Sequence, residues 1–456
     1  MCIRDRDILV GYFSDGFDMP YLRARAEKNK IKLALSPDGS QPSFVKGRIT
    51  SAKVTGIVHI DLFRFIETVY SQYLQSETLS LDEVASELLG EKKHEFGKNH
   101  KNKKIEKLKE HEWQQYFAYN LQDSILTEKL FHKLWHDIIE FTRITQEPLF
   151  NVSRDTFSQH VENYIVHNLN RFNEIAEHRP THEQIQLRKY REKYGGAFVL
   201  QPKAALYENL AVFDFTSLYP SLIVSFNISP ASLIKDKNQQ YKKEEVFKID
   251  DVEISGKKVT LYFSKKLSFI PLLLVEILKK RKEIKKQVKL NHDPILKARS
   301  NALKTLANAT YGYFGFFGAR YYCVEAAAAT AALGRKFIHE MIDKTRGEGF
   351  DVIYADTDGF AFSLGKKSKE DVLEFLKRLN SELPEIMELE LEDFYKRGIF
   401  VTKRTGEFGA KKKYALLNEK GKIKIRGFET VRRDWCNLAR EVQNKVLQMI
   451  LHSGDA

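Results

Sequence analysis

Two aspartates one residue apart, Asp356 and Asp358, lie in the stretch Tyr354-Ala355-Asp356-Thr357-Asp358-Gly359. Apolar residues flank it, Val352-Ile353 before and Phe360-Ala361-Phe362 after. That pattern predicts strand, tight turn, strand. No basic residue lies within the stretch, and carboxylates crowded at a hairpin tip repel unless positive charge comes between them. Hard oxygen ligands of this kind suit Mg2+. Asp and Gly are also ordinary turn residues, so the pair alone reads equally well as a turn. A third aspartate, Asp214, ends the apolar run Leu210-Ala211-Val212-Phe213 and precedes Phe215-Thr216-Ser217-Leu218-Tyr219-Pro220. A carboxylate at a strand end is either a metal ligand or a turn or N-cap residue.

A second group combines cations, an amide and an aromatic ring. Lys304, Asn308 and Tyr311 recur at i, i+4 and i+7 on a helix expected from about Pro294 to Tyr313, which places them on one stripe. The preceding helix, Pro271 to Leu290, carries Lys279, Lys280, Arg281, Lys282, Lys285, Lys286 and Lys289. Asn291-His292-Asp293 separates the two, so a helical hairpin with basic arms is expected. It reads as a solvated face or as a pocket for phosphate and base together. Lys411-Lys412-Lys413-Tyr414 suits a grip on a nucleic-acid backbone or the protection of an edge strand. Tyr194-Gly195-Gly196-Ala197 marks a close backbone approach before a strand. Earlier, Asp18 follows Asp15-Gly16-Phe17, and Tyr119 and Asp123 share one helix face. On spacing alone these are a turn aspartate and polar helix positions.

The elements that must position these residues alternate between helical and strand patterns. Residues 8–35 read as strand, loop, helix. Helices are expected at Phe63 to Tyr73, Leu81 to Leu89 and Trp113 to Leu134, with a solvated lysine-rich loop at 92–111. Residues 149–190 are helix-rich, and 235–268 read as a polar loop with a short hairpin. A small-residue helix from Ala326 to Leu333 should pack closely on a sheet, and an amphipathic helix at 369–383 should cover that sheet's back. Strands are expected around Gly398 to Thr402 and Tyr414 to Leu417. A last helix carries the apolar stripe Val442, Val446 and Ile450, with little to pack on. The chain is expected to begin in mid-domain and to lack a following domain.

The chain has 456 residues, with 74 Lys and Arg against 61 Asp and Glu, a net charge of +13 that suits a polyanionic partner. Cys2, Cys323 and Cys436 are far apart, which suggests neither a disulfide framework nor a zinc site and suits a reducing compartment. No apolar run approaches membrane-spanning length and no signal-peptide pattern opens the chain.

Taken together, these stretches resemble the family B DNA polymerases, in particular the archaeal replicative type. Asp214 to Ser221 is similar to the first palm motif. Lys304 to Gly312 is similar to the fingers motif Lys-x3-Asn-Ser-x-Tyr-Gly, with Ala309 where Ser is usual. Tyr354 to Gly359 is similar to Tyr-Gly-Asp-Thr-Asp-Ser, departing at Ala355 and Gly359. Those departures are expected to touch the turn's backbone rather than its carboxylates. Tyr194 to Ala197 looks like the linker motif between nuclease and polymerase regions, and Lys411 to Tyr414 like Lys-Lys-Arg-Tyr with Lys413 in place of Arg. Asp15 to Asp18 and Tyr119 to Asp123 resemble the second and third exonuclease motifs; the first, Asp-x-Glu, would lie upstream of residue 1.

The resemblance implies an α+β multidomain protein. A partial RNase H-like 3′–5′ exonuclease domain (1–148) and a helical linker (149–190) would precede a right-hand polymerase. Its parts would be palm (191–268 and 323–432), helical-hairpin fingers (269–322) and the start of a thumb (433–456). It implies two Mg2+ ions held by Asp214, Asp358 and the Phe215 carbonyl, with Asp356 in support. Arg281, Lys304, Asn308, Leu218, Tyr219 and Tyr311 would bind the incoming nucleotide, with Tyr219 as sugar gate. Lys411, Lys412, Lys413, Tyr414, Tyr194 and Gly196 would meet DNA, and Asp18, Tyr119 and Asp123 would serve the exonuclease. Implied partners are primer–template DNA, deoxynucleoside triphosphates and a sliding clamp through a C-terminal region, with no membrane. The implied location is the nucleoid-associated cytoplasm of a prokaryote, or a eukaryotic nucleus. Three other readings are an inactivated polymerase-like DNA-binding subunit, disfavoured because Asp214, Asp356 and Asp358 all stand, a protein-primed polymerase, disfavoured because no large insertion separates Asp214 from Asp358, and a protein acting mainly as a nuclease, disfavoured because the first exonuclease motif's carboxylates would lie upstream of residue 1.

Overall fold

Leu126, Leu130, Leu134, Ile138 and Phe141 recur every three or four residues and are all buried, which makes one stripe of a long helix the wall of a core. A computed structural model describes residues 6–455 apart from 48, 72, 75, 77, 92–109, 191–192, 236–241, 243, 292, 403–408 and 432–434. The chain divides into two compact units, Met1–Tyr164 with Ile284–Ala302, and Ile165–Glu283 with Leu303–Ala456. The expected lysine-rich loop falls outside the described residues, except where a helix begins at Glu110.

The first unit opens with β1 (Ile8–Gly11), α1 (Asp18–Lys28), the two-stranded antiparallel pair β2 (Ser43–Val45) and β3 (Ser51–Lys53), and β4 (Val58–Asp61). β1 and β4 pair in parallel from Ile8↔Val58 to Gly11↔Asp61. The helix expected at 63–73 is shorter: α2 (Leu62–Phe65) loosens into a π turn at Ile66–Tyr70. α3 (Leu81–Leu89) starts on an N-cap, where the Ser80 side chain accepts from the Glu83 amide, and stops at Gly90 in the left-handed region. α4 (Glu110–Thr145) is the long helix of the core, followed by α5 (Leu149–Val152) and α6 (Phe157–Asn168). Its buried stripe packs on Ile60, Leu62, Phe65 and Val84. Arg299, within the 284–302 part of this unit, holds the buried Glu140 by two bonds of 2.6 and 3.0 Å.

One buried group in this unit carries a cost. His160 is 1% exposed, stacks near Phe141 at 4.9 Å, and neither ring nitrogen has a hydrogen-bond partner. Burial pushes its pKa down to about 4. A depressed His pKa means the unfolded chain binds more protons, so this site's contribution to stability falls as pH drops from the ordinary range near 6.5 towards 4. His160→Leu is expected to stabilise the protein by about 1 kcal/mol, because it removes two unpaired polar atoms. Thermal melts at pH 7.5 and pH 5 should show a higher midpoint in the variant and a wider gain at the lower pH. A lower midpoint at both would refute it.

The second unit is built on α7 (His182–Lys189), β5 (Val199–Leu200), β6 (Ala205–Phe215), α8 (Leu218–Ser225) and the hairpin β7 (Val246–Ile254) and β8 (Lys257–Ser264). Then come α9 (Phe269–Asn291) and α10 (Pro294–Gly315), whose residues 284–302 belong to the first unit, and α11 (Val324–Gly347), β9 (Asp351–Asp356), β10 (Gly359–Ser363) and α12 (Lys369–Glu382). β11 (Leu389–Thr402), β12 (Gly409–Asn418), β13 (Ile423–Arg426) and α13 (Asn437–Ser453) end the chain. A seven-stranded antiparallel sheet has the order β13-β12-β11-β6-β10-β9-β5. Side chains alternate along β6. Phe213 packs against Phe360, Phe362 and Phe375, the last from α12, which covers the sheet's back as expected. Leu210 and Val212 point to the other face with Ile353, Tyr354 and Phe400, and Asp214 follows them in the alternation.

The last helix corrects the sequence reading. Leu447 and Leu451, not Val442 and Val446, form its buried stripe against Ile399, Ala415 and Leu417. Val442 and Val446 are 52% and 46% exposed. Both stripes have helical spacing, and only the position of β11 and β12 selects between them.

Candidate active site

Strand register brings the scattered aspartates together. Gly359 pairs with Asp214 on one side and with Asp356 on the other, so the turn between β9 and β10 lies beside the end of β6. Thr357 occupies the left-handed region at φ 59°, and its amide donates to the Phe198 carbonyl at 3.0 Å. The Phe215 amide donates to the Asp358 carbonyl at 2.8 Å, tying the strand end to the turn. Burial first, then the nearby charges of Asp358 and Glu392, push the Asp214 carboxyl up to about 7. Burial also raises Asp358, with Asp356 adding to the effect. Lys304 opposes both shifts. These carboxylates are held together at a cost that a divalent cation would relieve.

Gly359 carries more of this arrangement than the sequence implied. A Cβ there would lie 2.8 Å from Asp214 Oδ1 and 3.1 Å from the Phe213 carbonyl oxygen. The departure from Ser therefore touches a carboxylate directly, contrary to the expectation that it would affect backbone alone. Ala355 is fully buried in the strand. Asp356 is already engaged: it accepts from Thr357 Oγ1 at 2.9 Å and Tyr354 OH at 3.3 Å, and pairs with Lys412 Nζ at 3.0 Å. Among the described residues no group of three or more His, Cys, Asp or Glu is placed to hold a metal. The Asp214–Asp358 pair instead fits Mg2+ bound by one or two carboxylates together with substrate phosphate oxygens.

Around this pair stand the residues singled out on the helical arms. Arg281 NH1 donates to Ser217 Oγ at 3.2 Å, while its Nε is buried with no partner. Lys304 and Asn308 are exposed, and Tyr311 is half-buried on the same stripe. The Tyr219 and Tyr311 rings stack at 4.2 Å and 22°. Tyr311 hydrogen-bonds Tyr194, so the linker stretch reaches the same cluster. Leu218 is 2% exposed, so only its backbone can meet a ligand.

The lysine run divides its duties. Lys411 is exposed, Lys412 reaches Asp356, and Lys413 pairs with Glu429 at 2.6 Å over the Phe428 ring. Burial alone would raise Glu429, yet its bonds to Lys413 and Gln443 hold it down at about 2. Tyr414 packs beside Tyr354 and Phe400. Lys412 has φ 62°, and Gly427 leaves the room for its carbonyl: a Cβ at 427 would lie 2.0 Å from that oxygen.

In the first unit, Asp18 and Asp123 line one cavity of about 430 Å3, together with Ser14, His59, Asn120 and Glu128. Desolvation in that wall raises the Asp18 carboxyl, against its own backbone hydrogen bond and His59. Tyr119, one turn before Asp123, is half-buried outside the wall. Asp15, next to this site in sequence, is wholly buried and held by Arg154 at 2.7 and 3.2 Å and by the Ala52 amide at 2.9 Å. Asp61 accepts from the amides of Phe13 and Asp15, fixing the loop that carries Asp18.

The model of DNA polymerase family B matches residues 148–455, and the model of its exonuclease domain matches residues 2–84. The chain belongs to DNA polymerase family B. It is 37% identical to a DNA polymerase of Pyrococcus glycovorans over 99% of this chain and 56% of that one. It is 33% identical to a DNA polymerase of Archaeoglobus fulgidus over 98% and 53%. The structure of the family B DNA polymerase from Pyrobaculum calidifontis superposes with a TM-score of 0.72 at 30% identity, covering 98% of this chain and 55% of that one. The chain thus spans about half the length of these family B relatives.

Some residues of this family B site escaped sequence reasoning. Glu390 pairs with Asp214 across β11, and Glu392 acts on Asp214 while bound to Lys424 at 2.5 Å. The signal was present: Glu388, Glu390 and Glu392 alternate with leucines, which is strand periodicity with acids on one face. The Lys412 contact had no local signal, because 56 positions separate it from Asp356.

Proposed function

We propose that the second unit adds deoxynucleotides to a primer 3′-hydroxyl as directed by a template. What supports this most is the half-buried Asp214–Asp358 pair, whose carboxyls are both raised, together with a guanidinium whose Nε lacks a partner. Asp214, Asp358 and the Phe215 carbonyl would hold two Mg2+ ions, which supply charge neutralisation for phosphoryl transfer. Arg281 and Lys304 grip the triphosphate, Arg281 by planar bidentate contact and Lys304 as a point charge. Asn308 hydrogen-bonds beside them. Tyr311 faces the nascent base pair, and Tyr219 presents its ring to the sugar. Asp356 holds the turn and Lys412 rather than a metal. Lys411 and its neighbours meet the DNA backbone, which makes binding sequence-neutral and salt-sensitive.

On this reading residues 191–268 and 323–432 form the palm, 269–322 the fingers and 433–456 the start of a thumb. Residues 1–148 belong to a 3′–5′ proofreading nuclease, with Asp18 and Asp123 as two of its carboxylates. The test is extension of a labelled primer–template with four deoxynucleoside triphosphates and Mg2+. Template-directed elongation is expected; bound DNA that is never extended overturns the reading.

A further inference from the structure

The segment from Tyr194 to Leu200 touches the proposed site at both ends. Tyr194 hydrogen-bonds Tyr311, and its hydroxyl lies over Gly315, one turn further along α10, where a Cβ would come within 2.9 Å. At the other end the Phe198 carbonyl accepts from the Thr357 amide, and Val199 pairs with Asp356. Two glycines lie between, and glycine is the residue least able to hold its own backbone in place. Something else must fix them.

That role falls to one face of α11. Arg335 NH1 donates to the carbonyls of both Gly195 and Gly196, at 2.7 Å each. One turn later the His339 ring packs on Phe198 at 4.1 Å. Beside Arg335, Gly334 seats the Tyr219 ring, since a Cβ there would lie 2.9 Å from Tyr219 Cε1. Neighbouring positions of α11 therefore grip the linker and close on the edge of the Tyr219 ring. The gap over Gly195 is also closed: a Cβ there would meet Glu253 Oε2 at 2.7 Å and Arg335 NH1 at 3.0 Å. A surface arginine serving solubility alone would not place one nitrogen between two adjacent carbonyls.

The geometry points to Arg335 as a positioning residue for nucleotide selection, which fixes Gly195 and Gly196 so that Tyr194 holds Tyr311 against Tyr219. Arg335 does not touch the reacting atoms. It acts through the linker, so its loss loosens the wall of the nucleotide pocket and leaves the Asp214–Asp358 pair in place.

This inference rests on the polymerase reading for its consequence, though not for its geometry. Arg335→Ala and Arg335→Lys are compared with the unaltered chain. Arg335→Ala is expected to raise KM for deoxynucleotides by roughly 10-fold and to lower discrimination against ribonucleotides by roughly 5-fold, with kcat within about 3-fold. Arg335→Lys keeps the cation and should fall between the two. Unaltered KM and discrimination in Arg335→Ala, or a fall in kcat alone, overturns the assignment. Hydrogen exchange at residues 195–198 gives a second readout that needs no catalysis. Exchange there should rise at least about 10-fold in Arg335→Ala while the amides of α12 stay protected; unchanged exchange at 195–198 also overturns it. A chain that extends no primer yet shows that exchange response defeats the polymerase reading and leaves the Arg335 grip on the linker standing.

Discussion

Asp358→Ala is expected to lower nucleotide incorporation by at least about 10^3-fold while primer–template binding persists, since removing a group that stabilises transition-state charge costs on this scale. Asp358 and Asp214 are both half-buried, and each carboxyl is raised above its ordinary range. On the proposed function, DNA is held by lysines elsewhere, so affinity and chemistry should separate. Single-turnover incorporation and a DNA-binding titration measure the two. Near-normal extension by the variant would remove Asp358 from the metal assignment.

The same pair makes a stability signature without any substrate. A carboxyl whose folded pKa is raised contributes stability that is complete below its unfolded value and is lost as pH rises through the folded one. For Asp214 that window runs from about 4 to about 7. The metal-free protein should therefore melt progressively lower across that window. Asp358→Asn should raise the melting midpoint in chelator at pH 8, and the gain should vanish near pH 4. An inactive variant that is more stable at high pH is what a site held under electrostatic strain predicts.

Tyr219→Ala is expected to raise ribonucleotide incorporation, relative to deoxynucleotide, by about 10^2-fold, the scale of about 2–3 kcal/mol of steric selection. The physical basis is confinement. The ring is stacked on Tyr311 at 4.2 Å and backed by Gly334, where even a Cβ would press on it. A ring stacked on one face and closely approached at its Cε1 edge is held against swinging aside to admit a 2′-hydroxyl. Tyr219→Phe keeps that ring and should keep most of the discrimination. The ratio of kcat/KM values for the two sugars is the measurement, and an unchanged ratio in Tyr219→Ala would remove the gate role.

Much of the fold was legible because it rests on local periodicity. The helical stripe Lys304, Asn308 and Tyr311, the hairpin around Asp356 and Asp358, and the amphipathic α12 are all short-range patterns. The failures have one common origin. On α13 two stripes have equal helical spacing, and the buried one is chosen by strands that end more than 20 residues earlier in the chain. On α2 the expected helix loosens into a π turn that no local residue announced. Gly359 was read as a change in the turn's backbone, because nothing in its own neighbourhood shows that Asp214 occupies the space where a side chain would go.

The sequence by itself determined which residues can do chemistry here: three aspartates, a stripe of cation, amide and ring, and a lysine run, each on an element set by its spacing. Only the tertiary structure decided which of them meet. The register of β6 against β10 brings Asp214 to Gly359, the approach of β12 delivers Lys412 to Asp356, and α11 carries Arg335 to the linker glycines. Side-chain periodicity is a property of a few neighbouring residues, whereas strand order and helix docking depend on how the whole core is packed.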